Sequence, residues 1–233
     1  MTPVRLTRRV VATVSTAVLA LAVASCAESE PEPKPTRPPT TAAATSVEPT
    51  PSPTPTGPAV SDGRPRDARL TIPAIDIDSL RVVAYRGFTD DRHGTVIQNR
   101  GNAASPHGPD GGVGPGGIGN YQVTAHRLSS TQAFLDLPDL RRGDRIVVEA
   151  GDTRYVYEVT QTRRTSFRSP TSLARQRAEV PGRPGATADR AYITLSTCAT
   201  PEDHAAGNYW SDEFGNPEHR IDKIGELVAT EPR

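Results

Sequence analysis

The chain has 233 residues, and 27 Lys and Arg balance 27 Asp and Glu for a formal net charge of zero. That balance excludes an electrostatically driven nucleic-acid binder, which would carry a basic excess. Aromatic residues make up only 5% of the chain, and its 23 prolines crowd toward the N-terminal third, so only the remainder can build a core.

Residues 1–26 read as an export signal. Arg5, Arg8 and Arg9 form a positive start, and Val10 to Ser25 is an Ala- and Val-rich apolar run. The run is short for a membrane span, which needs roughly 20 residues. It ends Val23-Ala24-Ser25-Cys26, the pattern of a bacterial lipobox, so Cys26 is the expected lipidation site and mature N-terminus. The alternative is an uncleaved signal anchor. Either way the expected location is the outer face of the plasma membrane.

Residues 27–67 hold Pro31-Glu32-Pro33-Lys34-Pro35 and Pro49-Thr50-Pro51-Ser52-Pro53-Thr54-Pro55, with almost nothing large and apolar between. No burial offsets the ordering entropy, so a disordered linker is expected. Alternating proline favours polyproline II, and some 40 residues reach on the order of 100 Å.

From residue 68 to 233 the composition is that of one ordinary domain. Short alternating runs separated by Gly, Pro and Asp predict strands at Arg69–Ile72, Val82–Ala84, Gly94–Gln98, Tyr121–Ala125, Arg145–Ala150, Arg154–Thr165, Ala191–Cys198 and Ile221–Ala229. Two short helices are predicted, Thr131–Leu137 and Pro170–Arg177. Many strands with few helices indicate an all-β barrel or sandwich. The run Gly111-Gly112-Val113-Gly114-Pro115-Gly116-Gly117 lacks a following Gly-Lys-Ser/Thr and opens a strand, so it is read as a flexible lid or rim and not a phosphate loop.

Ala191-Tyr192-Ile193-Thr194-Leu195-Ser196-Thr197-Cys198 is a strand that ends on a thiol and then turns polar. Strand ends on a rigid scaffold are where reactive groups are carried, and a thiol nucleophile needs a basic or cationic neighbour. His126 stands at the end of another predicted strand, whereas His93, His107 and His204 lie in loop-like sequence and His219 is the weaker candidate. Arg220 opens the last strand, and its guanidinium is permanently charged with rigid donors, suited to an oxyanion. Taken singly, a strand-end His is as readily a surface residue, and most arginines form surface ion pairs.

Together these features resemble the sortase family of cysteine transpeptidases. The matching stretches are Leu70-Thr71-Ile72-Pro73-Ala74-Ile75, Asn120-Tyr121-Gln122-Val123-Thr124-Ala125-His126-Arg127, Gly143-Asp144, Tyr155-Val156-Tyr157-Glu158-Val159, Thr194-Leu195-Ser196-Thr197-Cys198 and Arg220-Ile221. The Thr-Leu-Ser-Thr-Cys form points to class E. Two departures are Ala125 before the histidine, where many members have Gly, and a long Ala199–His219 connection.

The resemblance implies a closed eight-stranded sortase-like β-barrel with one or two short helices. It implies Cys198 as nucleophile, His126 as proton donor to the leaving amine and Arg220 at the oxyanion. The substrate would be a surface protein with a C-terminal LPxTG- or LAxTG-like signal, and the acceptor an amine of the peptidoglycan precursor or cross-bridge. Thr197 and Thr124 join the expected substrate-binding residues, with Trp210 and Tyr209 as peptide anchors or barrel-end cover. No cofactor, metal ligand set or nucleic-acid partner is expected. A hydrolase on the same scaffold and a non-catalytic wall-peptide-binding lipoprotein remain open, while no Ser-His-Gly-Cys run supports an L,D-transpeptidase.

Overall fold

The computed structural model describes residues 57–233, so the signal segment, Cys26 and most of the linker lie outside the described residues. Eight strands close into a barrel: β1 (Ala68–Ile72), β2 (Ile77–Arg86), β3 (Ala103–His107), β4 (Gly119–Thr124), β5 (Arg145–Ala150), β6 (Thr153–Ser166), β7 (Ala191–Cys198) and β8 (His219–Pro232). Their order around the barrel is β1-β2-β3-β4-β7-β8-β6-β5. Two neighbours are parallel, β2 with β3 and β4 with β7. The β4–β7 pairing is the one that matters, because it brings the exits of both strands to the same rim.

Alternation fills the interior. Tyr121 and Val123 of β4, Ile193 and Leu195 of β7, and Leu70, Ile146, Val148 and Tyr157 form one buried cluster. The opposite face of β4, β7 and β8 is buried as well, but it is polar: Asn120, Gln122, Thr124, Thr194, Ser196 and Asp222. Helix α2 (Pro170–Arg177) covers part of this layer. Its Gln176 donates to Asp222 Oδ1 at 2.9 Å and to Ser196 Oγ at 3.2 Å, and accepts from Thr89 Oγ1 at 3.2 Å. Buried polar groups usually find partners; here those of Asn120, Ser196 and Asp222 fasten α2 to the sheet, whereas the Gln122 amide is buried with no partner among the described residues.

Several expectations need correction. Gly94–Gln98 is helical, inside α1 (Arg92–Asn99), because the Asp91 carboxylate accepts from Gly94 N at 2.7 Å and caps a helix start that strand propensity did not reveal. The strand missed in its place is β3, which runs parallel to Val82–Arg86 and had been hidden in Gly- and Pro-rich sequence. Thr131–Leu137 is not an α-helix. Its Phe134 and Leu137, with Leu140, are buried as the spacing required, but Ser130 and Gln132 have positive φ, and only a 3-10 turn forms, at Leu137–Asp139.

The Gly-rich run is also not a free lid. Gly114 N donates to Gly63 O at 2.7 Å, Ser61 N to Gly116 O at 2.8 Å and Ser61 Oγ to Pro115 O at 2.6 Å. The end of the proline-rich stretch therefore packs on the barrel. A Cβ on Gly114 would collide with the Arg64 carbonyl, and one on Gly117 with Gly63 Cα, so these glycines serve close backbone approach.

Candidate active site

Cys198 and Arg220 are paired across the antiparallel β7–β8 ladder. Residues opposite one another share a face of the sheet, so strand register alone sets thiol and guanidinium side by side. The parallel β4–β7 ladder pairs Thr124 with Ser196, and the link continues past the strand end with Ala125 N donating to Ser196 O at 3.3 Å. Two residues beyond Thr124 and two beyond Ser196 are His126 and Cys198. The three candidates thus sit on three adjacent strand ends.

Arg220 is 1% exposed and its bonds are specific. Nε donates to Asp90 Oδ2 at 2.9 Å, and Nη1 to Pro217 O at 2.9 Å and His219 O at 3.2 Å. Its Cζ lies 4.0 Å from the Phe167 ring centroid, a stacked cation–π contact. Nη2 is buried and has no partner. Among the described residues, its two N–H donors therefore remain unengaged. Burial opposes the charge, but Asp90 and Cys198 beside it raise the pKa further.

Cys198 is half-buried and forms no disulfide among the described residues. Burial pushes its thiol pKa up; Arg220 and Arg127 oppose that, while Asp90 and Asp212 add to it. His126 Nε2 lies 2.8 Å from Asn99 Oδ1 at the end of α1. With Nε2–H donating there, Nδ1 carries the lone pair. Burial lowers the imidazole pKa, Asp90 raises it and Arg220 lowers it. Both shifts disfavour the charged forms, the thiolate and the imidazolium.

Of the other expected residues, Thr197 is 2% exposed and its hydroxyl donates to Ala125 O at 2.8 Å, tying β7 to β4. Thr124 Oγ1 accepts from Gln98 Nε2 at 3.3 Å beneath α1. Both hydroxyls are engaged in holding the sheet and its cover together. Tyr209 and Trp210 are 72% and 37% exposed on the β7–β8 connection. Trp210 lies under Arg168, and Tyr209 packs beside His204 at 4.8 Å.

The connection begins as a helix, α3 (Thr200–Ala205), not as open loop. Arg127 pairs with Glu202 on α3 and reaches Cys198 O at 3.4 Å. Asp203 of α3 is fully buried and accepts from His219 and Arg164. Sequence reading missed Asp90, Asn99 and Asp203. Only Asp90-Asp91 carried a signal, a pair of acids at a turn, and it pointed to a helix cap no more than to a site.

The Sortase domain family model matches residues 70–210. Among solved structures, the chain is similar to the SrtA sortase from Actinomyces oris, at 22% identity and a TM-score of 0.54, covering 75% of this chain and 91% of that one. It is also similar to sortase E1 from Streptomyces coelicolor, solved with a tripeptide in the active site, at 23% identity and a TM-score of 0.54, covering 75% and 94%. A search of curated proteins returned no match.

Proposed function

The chain belongs to the sortase family of cysteine transpeptidases, and from that premise we propose that Cys198, His126 and Arg220 perform acyl transfer on a C-terminal sorting signal. The observation that carries this reading is the register pair Cys198–Arg220, with a buried Arg220 Nη2 that has no partner among the described residues and His126 at the neighbouring strand end. Thiolate Sγ attacks the carbonyl carbon of the Thr–Gly bond. Negative charge grows on the carbonyl oxygen and is met by the Arg220 donors. The C–N bond breaks, protonated His126 gives its proton to the leaving amine, and a thioester remains on Cys198. A second amine attacks the thioester, its proton passes to His126, and Sγ leaves as thiolate. Donors fixed beforehand in a dry site contribute more than the same groups in water, because they need not reorganise as charge develops.

The Thr194-Leu195-Ser196-Thr197-Cys198 form supports class E and a preference for LAxTG over LPxTG. The acceptor is an amine of the peptidoglycan precursor or cross-bridge. Trp210 and Tyr209, exposed on the connection that follows the nucleophile, serve as apolar anchors for peptide. The protein works on the outer face of the plasma membrane, held by a lipid on Cys26 or by an uncleaved N-terminal helix. Globomycin sensitivity and loss of lipid label in Cys26→Ala separate these two anchors.

The deciding experiment incubates the protein carrying Cys26→Ser with an LAxTG peptide, with and without an added amine. Amide product that rises with amine, and its complete loss in Cys198→Ala with an unchanged circular dichroism spectrum, is expected. Free acid alone at every amine concentration identifies a hydrolase. Cleavage that survives Cys198→Ala removes the thiol from the reaction.

A further inference from the structure

We propose that Asp90 is a positioning residue for the transfer reaction, locking Arg220 so that only its Nη2 edge faces the reacting carbonyl; this rests on the acyl-transfer reading above.

Three of the five guanidinium N–H donors are committed. Nε–H goes to Asp90 Oδ2 at 2.9 Å and the two Nη1 hydrogens to the Pro217 and His219 carbonyls. The carbonyls alone leave the plane free to tilt about the Cζ–Nη1 axis. A carboxylate on Nε adds a second, separate anchor and fixes the plane, with Phe167 against one face. The pair is 1% and 8% exposed by side chain, so solvent does not compete for it.

The backbone around Asp90 is built for this contact. Asp90 has φ +61, an uncommon conformation for a residue with a side chain, kept only where the surroundings over-determine it. They do so here. Tyr85 Oη donates to Phe88 O at 2.6 Å, Asp91 caps α1 and accepts from Phe88 N at 3.3 Å, and Thr89 bonds to Gln176 of α2. The β2–α1 turn is thus braced at each neighbour of Asp90, and the strained residue is the one that reaches Arg220.

The same carboxylate has an electrostatic side effect. Cys198 is faced by Arg220 from β8, Asp90 from the β2–α1 turn, Asp212 from the β7–β8 connection and Arg127 from the β4 exit, itself paired with Glu202 of α3. His126 is faced by Asp90 and Arg220. In both cases the Asp90 charge pushes the pKa up. Removing it therefore lowers both, and both limbs of the kcat/KM profile against pH move to acid.

The test compares the full chain with Asp90→Asn and Asp90→Glu. Asparagine tolerates positive φ, so D90N keeps the turn and removes the charge. A kcat at least tenfold lower, KM within threefold of wild type and an acid shift of both limbs are expected. D90E keeps the charge but displaces it, so kcat falls while the limbs stay in place. Unchanged or increased kcat in D90N, or limbs that do not move, overturns the inference. Should D90N not fold, D90E with an intact circular dichroism spectrum decides: wild-type kcat overturns it and reduced kcat supports it. Loss of activity in Cys198→Ala and Arg220→Ala with no effect in D90N rejects Asp90 alone, whereas cleavage that survives those two variants rejects the acyl-transfer reading beneath it.

Discussion

Asp203 Oδ1 lies 2.8 Å from His219 Nδ1, and its Oδ2 accepts the His219 backbone N–H at 3.0 Å. One buried carboxylate therefore joins the helix that follows the nucleophile to the first residue of the strand that carries Arg220. Ala199 N donates to His219 O at 3.0 Å and closes the same link from the backbone. The long connection between Cys198 and Arg220 is thus pinched at its base. The exposed remainder can carry Tyr209 and Trp210 without loosening the register that pairs thiol and guanidinium.

Replacing Asp203 should open that base. Asp203→Ala removes the fully buried acceptor of the His219 and Arg164 donors, a loss of about 2 kcal/mol and a drop in Tm of roughly 4–8 °C for a domain of this size. Burial would raise the Asp203 pKa, but hydrogen bonds from His219 and Arg164 hold it below the ordinary carboxylate value. A depressed folded pKa contributes stability that is present above the unfolded pKa, near ~3.9, and lost as pH falls through the folded value. Thermal melts of wild type and Asp203→Ala should therefore be well separated at pH 7 and converge below about pH 4. Equal melting temperatures at pH 7 would show that the pinch contributes nothing.

The protonation state of the pair is open to direct measurement. Burial raises the Cys198 thiol and lowers the His126 imidazole, so near neutral pH both groups are mostly uncharged. Alkylation of Cys198 by iodoacetamide follows the thiolate and should climb through an inflection above the ordinary thiol value. The kcat/KM profile should fall at both ends, with its acid limb below the ordinary histidine value. An alkylation inflection below pH 7 would mean that the ion pair is the resting form.

Much of this site was legible because strand ends are legible. Alternation located β4, β7 and β8, and Cys198, His126 and Arg220 were singled out as residues at those ends. Helix α2 forms over the predicted Pro170–Arg177, with Ser169 capping its start and Pro170 in the first turn. What escaped was nonlocal. Asp90 is defined by a partner 130 residues away, and the parallel β2–β3 pairing that makes a strand of Ala103–His107 has no signature in that segment itself. Gly94–Gln98 misled because a cap on a neighbouring residue outweighs the propensity of Val96 and Ile97.

Arg220→Lys tests geometry at fixed charge. Lysine has one cationic centre and cannot bond Asp90, two backbone carbonyls and a carbonyl oxygen at once. The buried anchors would claim the ammonium and leave the oxyanion bare. A fall in kcat on the order of 10²-fold, with KM changed little, is expected from the loss of a donor that acts mainly in the transition state. Peptide cleavage kinetics would measure it, and wild-type kcat in the lysine variant would reduce Arg220 to a charge with no directional role.

Gly114 gives a prediction about the barrel's far side. Ser61 and Gly63 hold their segment against the Gly-rich run through backbone bonds, and Thr230 Oγ1 extends the contact to Ala59 O at 2.6 Å. A methyl group at Gly114 meets the Arg64 carbonyl, which is backbone and cannot step aside as a side-chain tip would. Gly114→Ala should therefore lift residues 59–66 from the barrel and leave the remote strand ends of the active site in register. Limited trypsin digestion reads this directly, because the bond after Arg66 becomes accessible while the bond after Arg64 is protected by Pro65. Faster cleavage after Arg66 with peptide turnover unchanged is the expected result. Equal digestion of both proteins would show that the segment already leaves the surface freely, and a parallel loss of turnover would show that its docking supports the active site.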